Sequence, residues 1–304
     1  MLSDGQIAQF HRDGLLALRG VFDRDEVLAL QRAADEVTAE AVAGRGTGHG
    51  YRQVNGRRQY YRTDAVLWDR DASFRMATVN PRLLSAVGQC LGHPFMPIND
   101  SLVVKLPHSG VAILWHQDPP YEGADGLPDT FGIPNFDCDI YLDEATIENG
   151  CLYGLAGYHL AGHVEVERYA EEELFGRSDA VALPMQPGEV LLHAISAPHG
   201  SRVNDSETLR RVFYVHFMAR ETLEALHPEW IGSKPGFGER EVERVRSMIQ
   251  ERARAGVAEP GTESVELTPE GLVFTGDPVT PPRHWETLIA HMSSEQRRAA
   301  KTLA

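Results

Sequence analysis

Hydrophobic residues recur at helical spacing in the first forty positions and alternate with polar ones through the middle of the chain. Near the start, Ile7 and Phe10 share one face, Ser3 with Gln6 three residues later supplies a capping signal, and Gly14 a stop. Residues 3–14 therefore read as a short helix. "LLAL" at 15–18 reads as a buried strand, and Asp23 opens a second helix to about Ala43, along which Val27, Leu30, Ala34 and Val37 recur. Residues 44–64 hold five Gly, five Arg and three Tyr without a clear period and read as a long loop. From about 98 to 220 short β-rich runs such as "SLVVKLP", "FDCDIYLDEAT", "GEVLLHAIS" and "RRVFYVHFM" are separated by Gly, Pro and Asn. That texture predicts a mainly β fold with helical flanks, a sandwich or jelly roll. After 221 a helical stripe of Val242, Val245, Met248 and Ile249 returns. A single domain over residues 1–304 is the economical reading, with N-terminal helices at 3–43, a β core at about 98–220 and a helical C-terminal region at 221–304.

Composition narrows the function classes. The chain has 304 residues, 42% of them hydrophobic, which supplies a sizeable core. Asp and Glu number 44 against 29 Lys and Arg, a formal charge of −15, so a phosphate backbone is repelled and nucleic acid is not the expected partner. The first residues carry Asp4 and Asp13 and no long apolar run, so neither a secretory signal nor a membrane anchor is expected, and the protein is read as cytoplasmic. Cys90, Cys138 and Cys151 lack zinc-type spacing and are expected to be reduced thiols.

The chemistry gathers around "WHQDPPY", residues 115–121. On a strand, positions two apart face the same way, so His116 and Asp118 can present an imidazole and a carboxylate to one point. His199 closes a later predicted strand before a Gly-Ser turn. Two imidazoles and one carboxylate on one face of a metal make the triad of non-haem Fe(II) oxygenases, with positions left open for a cosubstrate and O2. Arg210, on the following strand, would suit the distal carboxylate of a keto acid.

These segments resemble the phytanoyl-CoA dioxygenase family of Fe(II)- and 2-oxoglutarate-dependent oxygenases. The resemblance is carried by "LSDGQIAQFHRDGLLALRGVF", "HQD", "LDEATIENGCLYGLAGYH", "PGEVLLHAISAPHGS" and "LRRVFYVHF". It implies a double-stranded β-helix, a cupin-like jelly roll, with iron held by His116, Asp118 and His199 and 2-oxoglutarate anchored by Arg210. Gln117 and Ser201 fall where the family often has cosubstrate contacts, and Lys105 is expected near the same pocket. The implied reaction is hydroxylation of an unactivated C–H bond of a small molecule, with release of succinate and CO2, and the Arg- and Tyr-rich loop adds the expectation of a natural-product intermediate as substrate. The carboxylate at Asp118 speaks against halogenation, which needs a small residue there.

Two positions depart from the family's pattern. Asp139 stands where an aromatic is frequent, and Tyr158 lies in a segment that usually reads Pro-Gly-Ser-His, so both become candidates for the substrate pocket. Arg58, Tyr60 and Tyr61 are further candidates if residues 44–64 form a lid, as are Tyr121 and Phe131 after the metal strand and Trp230 in the tail. His159, His163, His193 and His216 are read as packing or surface residues. Two other readings stay open: a non-redox protein that binds a ligand through its metal, and a cupin-type hydrolase with Zn²⁺ in the same ligands.

Overall fold

A computed structural model describes residues 1–92, 94–118, 135–161, 164–220, 239–256 and 264–276. Tyr121, Phe131 and Trp230, expected at the pocket, lie outside these residues. Helix α1 (Asp4–Asp13) starts at Ser3 with the full capping box to Gln6 and stops at Gly14 in the left-handed region. Strand β1 (Leu15–Leu18) follows, then α2 (Arg24–Val42), capped by Asp23, which buries Val27, Leu30, Ala34 and Val37 as the spacing predicts.

The region from 44 to 64 is not a loop. Strands β2 (His49–Val54) and β3 (Arg57–Asp64) pair as an antiparallel hairpin, and β3 extends onto the main sheet. The hairpin turns at Asn55 and Gly56, both with positive φ (50° and 74°), the backbone that a two-residue turn needs and that Asn-Gly supplies. Short helices α3 (Leu67–Arg70), α4 (Ala72–Thr78) and α5 (Pro81–Leu91) then lead to β4 (Phe95–Lys105) and β5 (Ile113–His116).

Two sheets face each other as the jelly roll requires. Strands β6 (Asn135–Tyr141), β9 (Val190–Ala194) and β11 (Arg210–Ala219) join β1 and β4 in the large sheet, ordered β1-β9-β6-β11-β4. The small sheet runs β5-β10-β7-β8, with β7 at Leu152–Leu155, β8 at Ala180–Leu183 and β10 at His199–Ser201. Between β7 and β8 lies the short helix α6 (Glu171–Phe175).

Alternation along the large sheet sorts its residues into two layers. Phe136, Cys138 and Ile140 of β6 and Phe213, Val215 and Phe217 of β11 are buried in the same core as Leu30 of α2 and Phe74 of α4. Each such side chain contributes about 1.5–3 kcal/mol by leaving water. The intervening residues, Asp137 and Asp139 of β6 and Arg210 and Tyr214 of β11, turn to the opposite face, toward the small sheet.

The expected helical C-terminal region is only partly so. Helix α7 (Glu239–Arg254) carries the predicted stripe, with Val242, Val245 and Met248 buried, but β12 (Val265–Thr268) and β13 (Gly271–Phe274) form a second hairpin beside β4. Alternating "VELT" and "GLVF" around Pro269 and Gly271 carry that signal. No helix among the described residues is long and apolar enough to cross a membrane.

Gly14 marks a tight contact. Its φ is 71°, and a Cβ there would lie 2.5 Å from Nδ1 of His159, whose Nε2–H donates to the carbonyl of His11 (3.2 Å). Gly14→Ala combines strain and clash, and is expected to lower the free energy of unfolding by roughly 2 kcal/mol or more in urea denaturation. Burial pushes His11 down to about 4 and His159 to about 3, from the ordinary 6.5. As the solution is acidified, the unfolded chain takes up protons at these positions before the folded chain does. Stability is therefore intact above pH 6.5 and falls as pH drops from 6.5 toward 4, by something on the order of 2 kcal/mol per histidine. Urea midpoints at neutral pH and near the lower end of that window measure it.

Candidate metal centre

Three groups meet between the two sheets. His116 ends β5 and His199 begins β10, and the strands pair with these residues directly opposite, so both imidazoles project from one face with ring centres 4.3 Å apart. Asp118 follows two residues after His116. Its Oδ1 lies 3.6 Å from Nε2 of His116 and its Oδ2 3.6 Å from Nε2 of His199. The donor atoms of all three lie within 4.8 Å of one another, close enough to share one ion.

Local structure prepares each donor. Nδ1–H of His116 donates to the carbonyl of Leu114 (2.8 Å), and Nδ1–H of His199 to that of Ala197 (3.0 Å). Those bonds orient the rings and turn both Nε2 atoms toward Asp118. The Asp118 amide donates to Ile195 (2.9 Å), tying its segment to the turn before His199. Trp115 points the other way, into a cluster with Leu155, Val164, Val166 and Leu174.

The electrostatics suit a cation. Burial, then the neighbouring His116 and His193, push His199 down to about 3, so it offers a neutral imidazole. For Asp118 burial disfavours charge, but hydrogen bonding from His116 and His193 and the field of His199 outweigh it and hold the carboxyl well below the usual range. For His116 burial opposes charge, but the hydrogen bond and the charge of Asp118 outweigh it and raise the imidazole above its ordinary value, so an ion bound here would displace a proton from its Nε2. Two imidazoles and one carboxylate fit a divalent ion of the Fe(II) kind.

A second polar centre lies on the inner face of the large sheet, at the start of β11. Arg210 is fully buried, stands directly across from Lys105 of β4, and its Nε has no hydrogen-bond partner. Among the described residues no carboxylate forms an ion pair with Arg210. Lys105 is also buried and donates to the carbonyls of Val111 and Arg202, while burial and then the charge of Arg210 push its ammonium well below its ordinary value. A buried guanidinium with no carboxylate paired to it among the described residues, and a buried amine opposite, fit the far carboxylate of a keto diacid.

The other expected site residues fall as follows. Ser201 is buried on the same side of β10 as His199. Gln117 is occupied by the backbone: its amide donates to Ser196 (2.5 Å) and accepts from Val164 (2.7 Å), so it clamps the Asp118 segment. Asp139 is fully buried and accepts from Nδ1 of His193 (2.8 Å). Tyr158 turns its hydroxyl to Asp179 (2.8 Å) and packs beside the Trp115 cluster. Arg58 is exposed with its guanidinium over the ring of Tyr51 (3.6 Å), and Tyr61 lies beneath Arg52 (5.0 Å). Tyr60 does not face a pocket, because the hairpin register turns it into the helix-side core, where its hydroxyl meets Thr63 (2.7 Å).

Three residues belong to the centre that sequence reading passed over. His193, taken for a packing residue, lies 4.7 Å ring to ring from His199, with its Nε2 3.9 Å from Asp118 and 4.0 Å from Asp137. Burial opposes its charge, yet Asp139, Asp118 and Asp137 around it raise it well above the ordinary value. Burial raises Asp137 to about 7. Arg62 of β3 bears electrostatically on both Asp118 and Asp137. The signal for His193 was the alternation of "VLLHA", where Leu191 and His193 must face away from the apolar Leu192.

Comparison with known proteins gives a consistent set. The sequence profile of the phytanoyl-CoA dioxygenase (PhyH) family matches residues 10–212. The methylphosphonate hydroxylase of Gimesia maris is 27% identical over 221 residues, which cover 72% of this chain and 81% of the relative. Ectoine dioxygenase of Bordetella bronchiseptica is 24% identical over 265 residues, covering 78% and 84%. Among solved structures, that of EctD from S. alaskensis with 2-oxoglutarate and 5-hydroxyectoine has a TM-score of 0.61 at 25% identity, over 73% of this chain and 77% of the other. The architecture is that of the double-stranded β-helix oxygenases.

Anaerobic Co(II) titration tests the centre. His199→Ala is expected to weaken binding by roughly 100-fold or more, and Gln117→Ala, which frees the Asp118 segment without touching the ion, by about tenfold.

Proposed function

The chain belongs to the phytanoyl-CoA dioxygenase (PhyH) family, and from that membership we propose that it hydroxylates an unactivated C–H bond of a free small molecule, with release of succinate and CO2. It is a 2-oxoglutarate-dependent non-haem iron dioxygenase, and its cofactors are Fe(II), 2-oxoglutarate and O2. When bound, this set supplies the oxidation of the substrate C–H bond. His116, Asp118 and His199 are the proposed iron ligands, and the observation that carries the reading is their convergence on one point, together with a buried Arg210 on the inner face of the large sheet.

The residues of the chain then have separable tasks. The carbonyls of Leu114 and Ala197 aim the two imidazoles. Gln117 and the Ile195 carbonyl hold Asp118 in place. Arg210 is the proposed anchor for the far carboxylate of 2-oxoglutarate, and Lys105 and Ser201 border the same space. A Zn²⁺ hydrolase would have no use for a buried arginine and lysine facing each other across β11 and β4, whereas a non-redox binder of keto acids would, and succinate formation separates it from an oxygenase. A natural-product intermediate as substrate fits the relatives named for small molecules, methylphosphonate hydroxylase and ectoine dioxygenase. Cys90, Cys138 and Cys151 are all buried and unpaired, which accords with the proposed cytoplasmic location.

Anaerobic addition of Fe(II) and 2-oxoglutarate is expected to give the weak visible charge-transfer band, and admitting O2 without substrate is expected to give slow succinate. Arg210→Ala is expected to raise the 2-oxoglutarate concentration for half-saturation of the band by roughly 30-fold or more, with Arg210→Lys between it and the wild type. Absence of both band and succinate in the wild type would reject the oxygenase assignment.

A further inference from the structure

Buried donors without acceptors mark the inner face beside Arg210. Tyr141 of β6 is fully buried, and its register opposite Val212 of β11 sets it one level along from Arg210 on the same inner side. The guanidinium carbon of Arg210 stands 5.8 Å from the centre of the Tyr141 ring. Nε of Arg210 and the hydroxyl of Tyr141 both lack a hydrogen-bond partner. An arginine only donates, so the guanidinium cannot take the phenolic proton. Oδ2 of Asp139, two residues back on the same face, is likewise without a partner, so it does not reach that hydroxyl. Burial raises the Tyr141 phenol above its ordinary value, which keeps the proton in place and in need of an acceptor.

Backbone bonds hold the tyrosine in position. The Tyr141 amide donates to the carbonyl of Glu189 (3.0 Å), its carbonyl accepts from the Gly188 amide (2.8 Å), and the next amide, of Leu142, donates to the Arg211 carbonyl (3.1 Å). The ring shares a buried cluster with Leu152, Met185, Leu191 and Val212. Lys105 is committed elsewhere: two of its three N–H groups go to the carbonyls of Val111 and Arg202, which ties together the segments after β4 and β10. A buried phenol and a buried guanidinium, left side by side as donors, are a costly arrangement unless an anion with two acceptor oxygens meets both.

We propose that the Tyr141 hydroxyl is the second donor to the far carboxylate of 2-oxoglutarate, which accepts from it and from Arg210 together. This rests on the oxygenase reading above. The arginine supplies charge and the tyrosine a directed neutral hydrogen bond, so the pair selects a keto diacid over a keto acid with an uncharged end. Lys105 then acts as a fastener of the pocket wall, with its charge near the carboxylate but its hydrogen bonds spent on the backbone.

The test compares 2-oxoglutarate with 2-oxopentanoate, which carries a methyl group where 2-oxoglutarate carries its far carboxylate. Binding is read from the charge-transfer band of the anaerobic Fe(II) protein and by calorimetry on the Zn(II) protein, which needs no turnover. Tyr141→Phe keeps the ring and removes only the hydroxyl. It is expected to weaken 2-oxoglutarate by roughly tenfold or more and 2-oxopentanoate by less than about twofold. The proposal is overturned if Tyr141→Phe binds 2-oxoglutarate as the wild type does, or if it weakens both keto acids alike, which is what a merely structural role would give. A crystal structure of the wild type with Zn(II) and 2-oxoglutarate decides the matter even if the variant fails to fold. There the Tyr141 oxygen is expected within about 3.2 Å of a far-carboxylate oxygen, and a separation beyond hydrogen-bond distance rejects the assignment. A wild type that binds no 2-oxoglutarate at all would reject the oxygenase reading, and this proposal with it, an outcome distinct from the others.

Discussion

The two-sidedness of the large sheet is the constraint from which the rest follows. Successive residues of a strand point to opposite faces, so a run such as "FDCDIY" must send three side chains to the helices and three to the interior of the roll. On β6 the first set is Phe136, Cys138 and Ile140, which join the core, and the second is Asp137, Asp139 and Tyr141. The helix layer supplies the stability that allows the second set to be polar. A sheet with both faces apolar would fold as well and would have nowhere to hold an ion.

Polar groups inside a protein need partners, and the interior shows how each is provided. Oδ1 of Asp139 accepts from Nδ1 of His193, while the far atom of each group has no partner. Lys105 is met by two backbone carbonyls and Gln117 by a carbonyl and an amide. Beside the triad, four buried atoms on the inner face of the large sheet lack a hydrogen-bond partner: Nε of Arg210, the hydroxyl of Tyr141, Oδ2 of Asp139 and Nε2 of His193. Those are the places where the proposed iron, cosubstrate and substrate would enter.

Much of this was legible in the chain. The capping box at Ser3, the stripe of α2, the strand pair bearing His116 and His199, and the inward Arg210 follow from local patterns that tertiary structure had no reason to override. Other features needed more. The Asn55-Gly56 turn was readable but was masked by the arginines around it, and with it went the register that buries Tyr60 and turns Arg62 inward. His193 looked like packing because a histidine between apolar neighbours is usual in a core, and only the face it shares with Asp137 and Asp139 gives it a role. Gln117 fits a cosubstrate contact by position alone, yet its amide is spent on Ser196 and Val164, partners remote in sequence that no local pattern reveals.

The placement of the two histidines on the small sheet makes the triad lopsided. His199 is buried on β10, held between β5 and β7, whereas His116 and Asp118 are partly open and β5 is an edge strand. An ion held by these three groups would have one ligand sealed within the sheet and two facing the rim. Its exchange with the solvent would then proceed at the rim, with a competing chelator reaching it from the side of His116 and Asp118.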